Sequence, residues 1–308
     1  MNTGLQAEML GNRLRKNFRR LQGRFEREGV GAFRLYDWDV PEIRAAVDWY
    51  EGHLVVAEYE REQTRSAAGW LEAMGAAAAS ALGVEGGRVH LKVRRTRPRT
   101  GERYPRLGQT GERLAVRERG LRFWVNLTDH VDTGLFPDHR ETRARVRTEA
   151  SGKEVLNLFG YTGSFTCAAA AGGAVRTVTV DTSAPYLSWA RENLALNGLA
   201  GAQNELVRAD ARDFLARSGP RFGLCVLDPP SFSTRSGALP FDVQRDHRAL
   251  VLAALGALLP GGVLYFSTNH QRFEPRLEGL RAEEITRETA PRDYRRTPHR
   301  CFRIVNGG

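Results

Sequence analysis

The stretch Val155 to Ala171, VLNLFGYTGSFTCAAAA, constrains the fold more than any other part of the chain. Val155 to Phe159 is an apolar run of the length of a strand buried on both faces, and Gly160 and Gly163 then let the backbone turn tightly. A helix of small residues begins near Ser164, is built on Cys167 to Ala171, and is stopped by Gly172 and Gly173, which suit a left-handed cap. A second apolar run, Val175 to Val180, ends in Asp181. That acid lies about 20 positions past the glycine turn, where a nucleoside-binding sheet sets a carboxylate on ribose hydroxyls. Only two glycines of the dinucleotide fingerprint are present, so a purely structural strand-helix-strand unit accounts for this stretch equally well.

The pattern continues downstream. Pro185 to Asn197 reads as a helix, Glu205 to Val207 as a strand followed by Asp210, and Ala211 to Arg217 as a short helix. Leu224 to Leu227 is a fourth buried strand ending in Asp228. A helix over Gln244 to Leu259 is stopped by Pro260, Gly261 and Gly262, and Val263 to Ser267 is a fifth strand. Alternation of this kind predicts an α/β domain with a mostly parallel, doubly wound sheet. Glu284 to Arg287 and Cys301 to Val305 are expected to add antiparallel edge strands.

A smaller α+β domain, residues 1–112, is expected to precede this one, residues 113–308. Leu5 to Arg27 has helical apolar spacing (Leu10, Leu14, Phe18, Leu21, Phe25) with an Arg-rich opposite face. Such a face either docks on RNA or is simply solvated. Gly31 to Trp38, His53 to Tyr59 and Val89 to Val93 read as strands, and Ala67 to Leu82 as an Ala-rich helix closed by Gly83. The Gly-, Pro- and Arg-rich run Arg94 to Leu114 predicts an exposed, mobile basic loop. Leu114 to Arg117 and Leu121 to Val125 suggest a hairpin, and Arg140 to Ala150 a helix.

A net charge of +10 and a pI of about 10.0 favour nucleic acid as a partner, because phosphate binding needs excess basic charge. Codon usage is the plainer explanation, since the only lysines are Lys16, Lys92 and Lys153, but basic runs cluster at Arg13 to Arg20 and Lys92 to Arg99. The start of the sequence lacks the apolar core of a secretory signal and no apolar run reaches the ~18 residues of a membrane span, so the cytoplasm is the expected compartment. Cys167, Cys225 and Cys301 are too scattered for a disulfide framework or a CxxC site, and no metal is expected.

Ligands of such a sheet lie beyond the carboxyl ends of its strands, where the polar candidates fall one after another: Asn157 with the loop Phe159 to Ser164, then Asp181, Asp210 and Asp228. Any one acid alone reads as a helix cap. Together they suit a nucleoside ligand, with backbone N–H groups near Gly160 and Gly163 for an anionic group, Asp181 for a ribose diol and Asp210 for an exocyclic amine. Asp228-Pro229-Pro230-Ser231-Phe232 is the most specific motif. Its prolines leave carbonyl acceptors without competing N–H donors, its carboxylate accepts from a planar amine or amide, and Phe232 can stack on a flipped base. A proline-rich turn with Phe232 in the core is the alternative.

These residues carry a family resemblance. LNLFGYTGSFT, TVDTSAPYLSWARENLALNG, DPPSF, FDVQRDH and DTGLFPDHR resemble the class I S-adenosylmethionine-dependent rRNA methyltransferases, most closely the RlmK half of the bifunctional 23S rRNA methyltransferases RlmKL. The N-terminal NRLRKNFRRL, FRLYDWDVPE and LKVRR stretches share in it. The resemblance implies a Rossmann-like methyltransferase fold, S-adenosylmethionine as cofactor, and methyl transfer to guanine N7 of 23S rRNA or a large-subunit assembly intermediate. It implies catalytic roles for Asp228, Pro229 and Phe232. Cofactor contacts would come from Thr133, Phe136, Asp138, Arg140, Asn157, Phe159, Gly160, Tyr161, Thr162, Gly163, Ser164, Asp181, Thr182, Ser183, Asp210, Ala211 and Asp228. Pro137 stands where that family would have an aliphatic residue. No second methyltransferase half accompanies these motifs, so docking on rRNA is expected to rest on the basic N-terminal domain or a separate partner.

Related cytosine-C5 enzymes carry a cysteine just after the fifth strand, whereas here the segment is YFSTNH. A pyrimidine carbon needs a thiolate adduct before it accepts a methyl group, and guanine N7 already offers a lone pair. Cys167 and Cys225 read as core residues, and His139, His247 and His270 as positioning or structural, with His247 within QRDH also a candidate to face substrate. The readings set against N7 methylation are transfer to an exocyclic amine or to cytosine C5, a cofactor-binding assembly factor, and a nicotinamide dehydrogenase.

Overall fold

The structure, a computed structural model, describes residues 2–59, 68–94, 107–233 and 240–307. Its contacts divide into two compact units. The first takes in the described residues as far as Pro137 together with Arg292–Arg296; the second holds Asp138–Pro291 and the chain from Thr297 onward. The expected loop over Arg94 to Leu114 falls largely outside the described residues, as does the start of the helix expected at Ala67.

In the first unit, helix α1 (Thr3–Glu28) is opened by Asn2, whose side chain accepts from Leu5 N–H, and closed by Gly29 at φ 64°. It buries Leu10, Leu14, Leu21 and Phe25, each worth about 1.5–3 kcal/mol of transfer free energy, in a core shared with helix α2 (Trp70–Leu82) and the sheet. That sheet runs β1 (Ala32–Asp37), β2 (Ala45–Tyr50), β3 (His53–Tyr59), β4 (Val89–Arg94), antiparallel except for the β3–β4 pair. Strand β2 was not expected from sequence. The hairpin β5 (Leu114–Glu118) and β6 (Leu121–Val125) joins this unit through the Val30–Glu118 bridge. Gly23 lies inside α1 on its exposed face, and an added Cβ would meet only an Arg27 guanidinium nitrogen at 3.7 Å. Gly23→Ala is therefore expected to raise stability by about 0.5–1 kcal/mol, read as a higher urea midpoint at unchanged slope.

His53 on β3 and His90 on β4 meet at 3.2 Å between Nδ1 and Nε2, with rings stacked at 5.5 Å. Burial and the Arg88 charge lower the His53 pKa. Burial, then His53 and Lys92, push His90 down to about 4. Between the usual histidine value of 6.5 and that value the unfolded chain binds protons that the folded one refuses. Stability is thus expected to fall as pH drops from 6.5 toward about 4. Denaturant midpoints measured across that range, and flattened by His90→Gln, check the sign.

The second unit is built on a seven-stranded sheet: β14 (Arg281–Glu284), β15 (Arg300–Val305), β13 (Leu258–Thr268), β10 (Phe222–Leu227), β7 (Glu154–Leu158), β8 (Arg176–Asp181), β9 (Asn204–Arg208). β13 to β9 are mutually parallel, and β15 and β14 add antiparallel edges. The period of two sorts the core. Leu156, Leu158, Cys225, Leu227, Leu264 and Phe266 face one side, where α6 (Ala211–Leu215) and α7 (Val243–Gly256) pack. Val155, Leu224, Val226, Val263 and Tyr265 face the other, with α3 (Arg140–Glu149) and α4 (Ser164–Ala171). Helix α5 (Ala184–Leu196) completes the doubly wound arrangement. Two elements differ from expectation. The edge strand ends at Glu284, because Thr286–Thr289 forms a helical turn, α8, and helix α7 stops at Gly256, because Leu258 already pairs with Phe222 in the sheet.

Candidate active site

Strands β7 and β10 are neighbours, paired Leu158 to Leu227, while the chain leaves β7 for β8 on one side and β10 for β13 on the other. The strand order reverses between them, and the crevice outside such a reversal is where ligands of parallel α/β sheets lie. Register places the next two residues, Phe159 and Asp228, side by side at its mouth.

The loop after β7 is held in an unusual conformation. Phe159 (φ 55°), Tyr161 (φ 48°) and Gly163 (φ 74°) are left-handed, which costs the two non-glycine residues about 1–2 kcal/mol each. Hydrogen bonds from Gly160 N to Val180 O (3.0 Å), Tyr161 N to Asp181 Oδ2 (3.0 Å) and Gly163 N to Gly160 O (2.8 Å) impose it. These bonds commit the Gly160, Tyr161 and Gly163 N–H groups within the protein, so the amides at Gly160 and Gly163 are not the donors expected for an anion. Helix α4 follows with no side-chain cap, so its positive end stays open on the same side. Glycine is required at 163 because a Cβ there would sit 2.7 Å from that of Ala190. Thr162 is fully buried, and its carbonyl accepts from Asn193 Nδ2 at 2.9 Å. Asn157 is 3% exposed and donates to Thr166 Oγ1 at 2.9 Å, which in turn contacts Thr179 Oγ1 at 2.6 Å. The Asn157 side chain therefore ties β7 to α4 from behind the loop instead of projecting beyond the strand end.

Asp181 and Asp210 occupy the ends of β8 and the β9 connection. Asp181 accepts from Tyr161 N and, through Oδ1, from Ser183 N at 2.8 Å, so it braces the loop. Thr182 is exposed; Ser183 caps α5, accepting from Tyr186 N at 3.4 Å. Asp210 caps α6 by accepting from Arg212 N at 2.9 Å, and Ala211 is buried behind it.

Asp228 opens the DPPSF segment with both oxygens engaged: Ser267 Oγ donates to Oδ1 at 2.6 Å, and His139 Nε2 lies 3.4 Å from Oδ2. Pro229 is buried. Phe232 is half-buried in a two-residue strand, β11 (Phe232–Ser233), paired with β12 (Phe241–Asp242), and its ring lies 5.7 Å from that of His270. It is not a core residue of the sheet, so the proline-turn-with-buried-Phe alternative fails on this point. Ser231 Oγ donates to Asn269 Oδ1 at 2.8 Å, linking the segment to the end of β13.

Thr133 and Phe136 fall in the first unit, where Thr133 Oγ1 meets Tyr50 Oη at 3.1 Å and Phe136 is 39% exposed. Asp138 and Arg140 begin the second; Arg140 is 1% exposed at the start of α3. His247 does not face a substrate: it is fully buried, its Nδ1–H donates to Val243 O at 2.9 Å, and Nε2 accepts from Arg276 N at 2.9 Å. All three cysteines are buried, and burial pushes the thiols of Cys167 and Cys301 up to about 12 and that of Cys225 higher, so none is a thiolate at neutral pH. Ser267 and His299 are the residues the sequence alone does not mark. Both reach the Asp228 neighbourhood only through β13 and β15.

A family model for S-adenosylmethionine-dependent methyltransferases matches residues 34–296. The chain belongs to this family. Its cofactor is accordingly S-adenosylmethionine. Among curated relatives, the ribosomal RNA large subunit methyltransferases K/L of Syntrophotalea carbinolica and Magnetococcus marinus are 45% and 43% identical, each over 97% of this chain. This methyltransferase spans 43% of the length of each. Among solved structures, a putative SAM-dependent methyltransferase from Streptococcus mutans superposes with a TM-score of 0.76 at 20% identity, covering 97% of this chain and 81% of that one. A putative methyltransferase complexed with SAH gives 0.71 at 22% identity, covering 96% and 81%. These likenesses confirm the methyltransferase fold. Among the described residues no helix of this methyltransferase is long and apolar enough to cross a membrane.

Proposed function

We propose that this chain methylates guanine N7 in 23S rRNA, free or within an assembling large subunit, in the cytoplasm. The observation that carries the reading is the register of β7 with β10, which sets the loop after β7 beside Asp228 at one crevice. The names of the relatives supply the RNA class. The residues fit the cofactor: the uncapped start of α4, reached through the loop 159–163, suits the methionine carboxylate, Asp181 the ribose diol, and Asp210 with Ala211 the adenine edge. Asp138 and Arg140, at the start of the same unit, would border it. The bound group supplies a methyl carbon on a sulfonium.

Guanine presents two donors, N1–H and the 2-amino group, on its Watson–Crick edge, and N7 on the other. The Asp228 carboxylate, with lone pairs left after Ser267, would hold the donor edge while Phe232 stacks on the ring. N7 needs no base to attack, which accords with three protonated, buried thiols. The domain over 1–112 would dock the RNA: Arg15, Lys16, Arg19 and Arg20 stand exposed on α1, in a stretch from Met9 to Phe25 that contains no acid. Incubation with labelled S-adenosylmethionine and undermodified 23S rRNA should yield 7-methylguanosine. Label in 2-methylguanosine would favour the exocyclic amine, for which Asp228 and the Pro229 carbonyl are also acceptors, and label in 5-methylcytidine alone would sink the reading.

A further inference from the structure

Behind Asp228 lies a column of side chains that the proposed chemistry does not use. His139 Nε2 approaches Asp228 Oδ2 at 3.4 Å, and its ring stacks on that of His299 at 4.1 Å and 16°. His299 Nδ1 lies 3.4 Å from Asp138 Oδ2. The imidazoles are 5% and 2% exposed, and His139 Nδ1 and His299 Nε2 have no hydrogen-bond partner among the described residues.

Asp138, His139 and His299 present ligand atoms within 4.8 Å of one another, a set that would suit a metal ion. The ring geometry argues otherwise. Imidazole lone pairs lie in the ring plane, so two rings 16° from parallel direct them side by side and not onto a common point. The partners instead fix protons. A carboxylate only accepts, so His299 carries its proton on Nδ1 facing Asp138, and a neutral His139 carries its proton on Nε2 facing Asp228. The remaining nitrogens need no acceptor in that state.

We propose that His139 is a positioning residue for methyl transfer: with Ser267 it fixes the Asp228 carboxylate, while the stacked His299, anchored by Asp138, holds the His139 ring in place. The inference rests on the assignment of Asp228 to the target base. Burial lowers the His139 pKa, with His299 and Arg143 acting the same way against Asp228 and Asp138, which favours the neutral tautomer this role needs.

His139→Ala and Ser267→Ala are each expected to lower kcat roughly 10- to 100-fold, the cost of loosening an aligned group, with S-adenosylmethionine affinity by calorimetry unchanged. His139→Gln, whose carboxamide can still donate, should recover part of the loss. Unimpaired kcat in His139→Ala, or parallel loss of melting temperature and cofactor affinity in both alanine variants, would overturn the positioning role. Nitrogen-15 spectra of histidine-labelled protein read the tautomer without turnover: His139 protonated on Nε2 supports the role, and protonation on Nδ1 or stoichiometric bound metal defeats it. Absence of guanine methylation by the unmodified protein would instead count against the proposed function, leaving the tautomer to decide the positioning role.

Discussion

Asp228→Ala is expected to slow single-turnover methyl transfer to rRNA by about 100- to 1,000-fold at saturating S-adenosylmethionine, the usual cost of removing one preorganised group from a developing charge. In the proposed reaction the methyl carbon would leave sulfur as it bonds to N7, so positive charge would pass to the purine and N1–H would become more acidic. A carboxylate on that edge is therefore held more strongly in the transition state than in the ground state, which is what accelerates a reaction. Asp228→Asn keeps the shape and loses the charge, and one of its two acceptor oxygens becomes an NH2 group that would oppose the base donors or the His139 N–H. A loss nearly as large is expected from it. Rapid-quench measurement with labelled cofactor separates rate from affinity. An unchanged single-turnover rate with weakened cofactor binding would move Asp228 from the base to the cofactor.

Gly172→Ala is expected to destabilise the second unit by about 3 kcal/mol, the upper part of the range for overpacking. Its backbone is ordinary, so the cause is proximity and not strain: an added Cβ would lie 2.0 Å from the Arg147 carbonyl oxygen and 2.8 Å from its carbon. These are backbone atoms of α3, which cannot rotate away, so α3 and α4 must separate. Calorimetry should show a melting temperature lower by about 6–12 °C. Because α4 begins at the loop proposed to hold the cofactor, S-adenosylmethionine affinity should fall in step. Gly256→Ala, where a Cβ meets nothing within 4 Å, is the control and should leave the melting temperature unchanged or slightly raised.

What the sequence showed of this architecture follows from range. Strands β7, β8 and β10 are apolar runs ended by a turn or an acid, so their order and the positions of Asp181 and Asp228 were legible locally. The same locality hid β2: AAVDWY has no clean alternation, and it becomes a strand because Arg34 on β1 and Asp48 opposite it pair at 2.8 and 3.0 Å. Asn157 was visible as a polar residue in an apolar run, but its partner Thr166 is fixed only once α4 packs on the sheet. Ser267 and His299 stand 39 and 71 residues beyond Asp228, where no periodicity reports on proximity.

The return of Arg292–Arg296 to the first unit has a consequence for biosynthesis. Asp37 is 2% exposed and accepts from the backbone N–H groups of Arg295 and Arg296 at 3.1 and 2.9 Å and from the Arg296 guanidinium at 3.1 Å, while Asp293 accepts from Arg34 N at 2.8 Å. A nascent chain can pair Asp37 with Arg34, 3.1 Å away on the same strand, but gains the Arg295 and Arg296 donors only 258 residues or more after Asp37 has been made. Completion of the first unit is thus tied to synthesis of Arg292–Arg296, and a polypeptide cut short before them carries that unit unfinished.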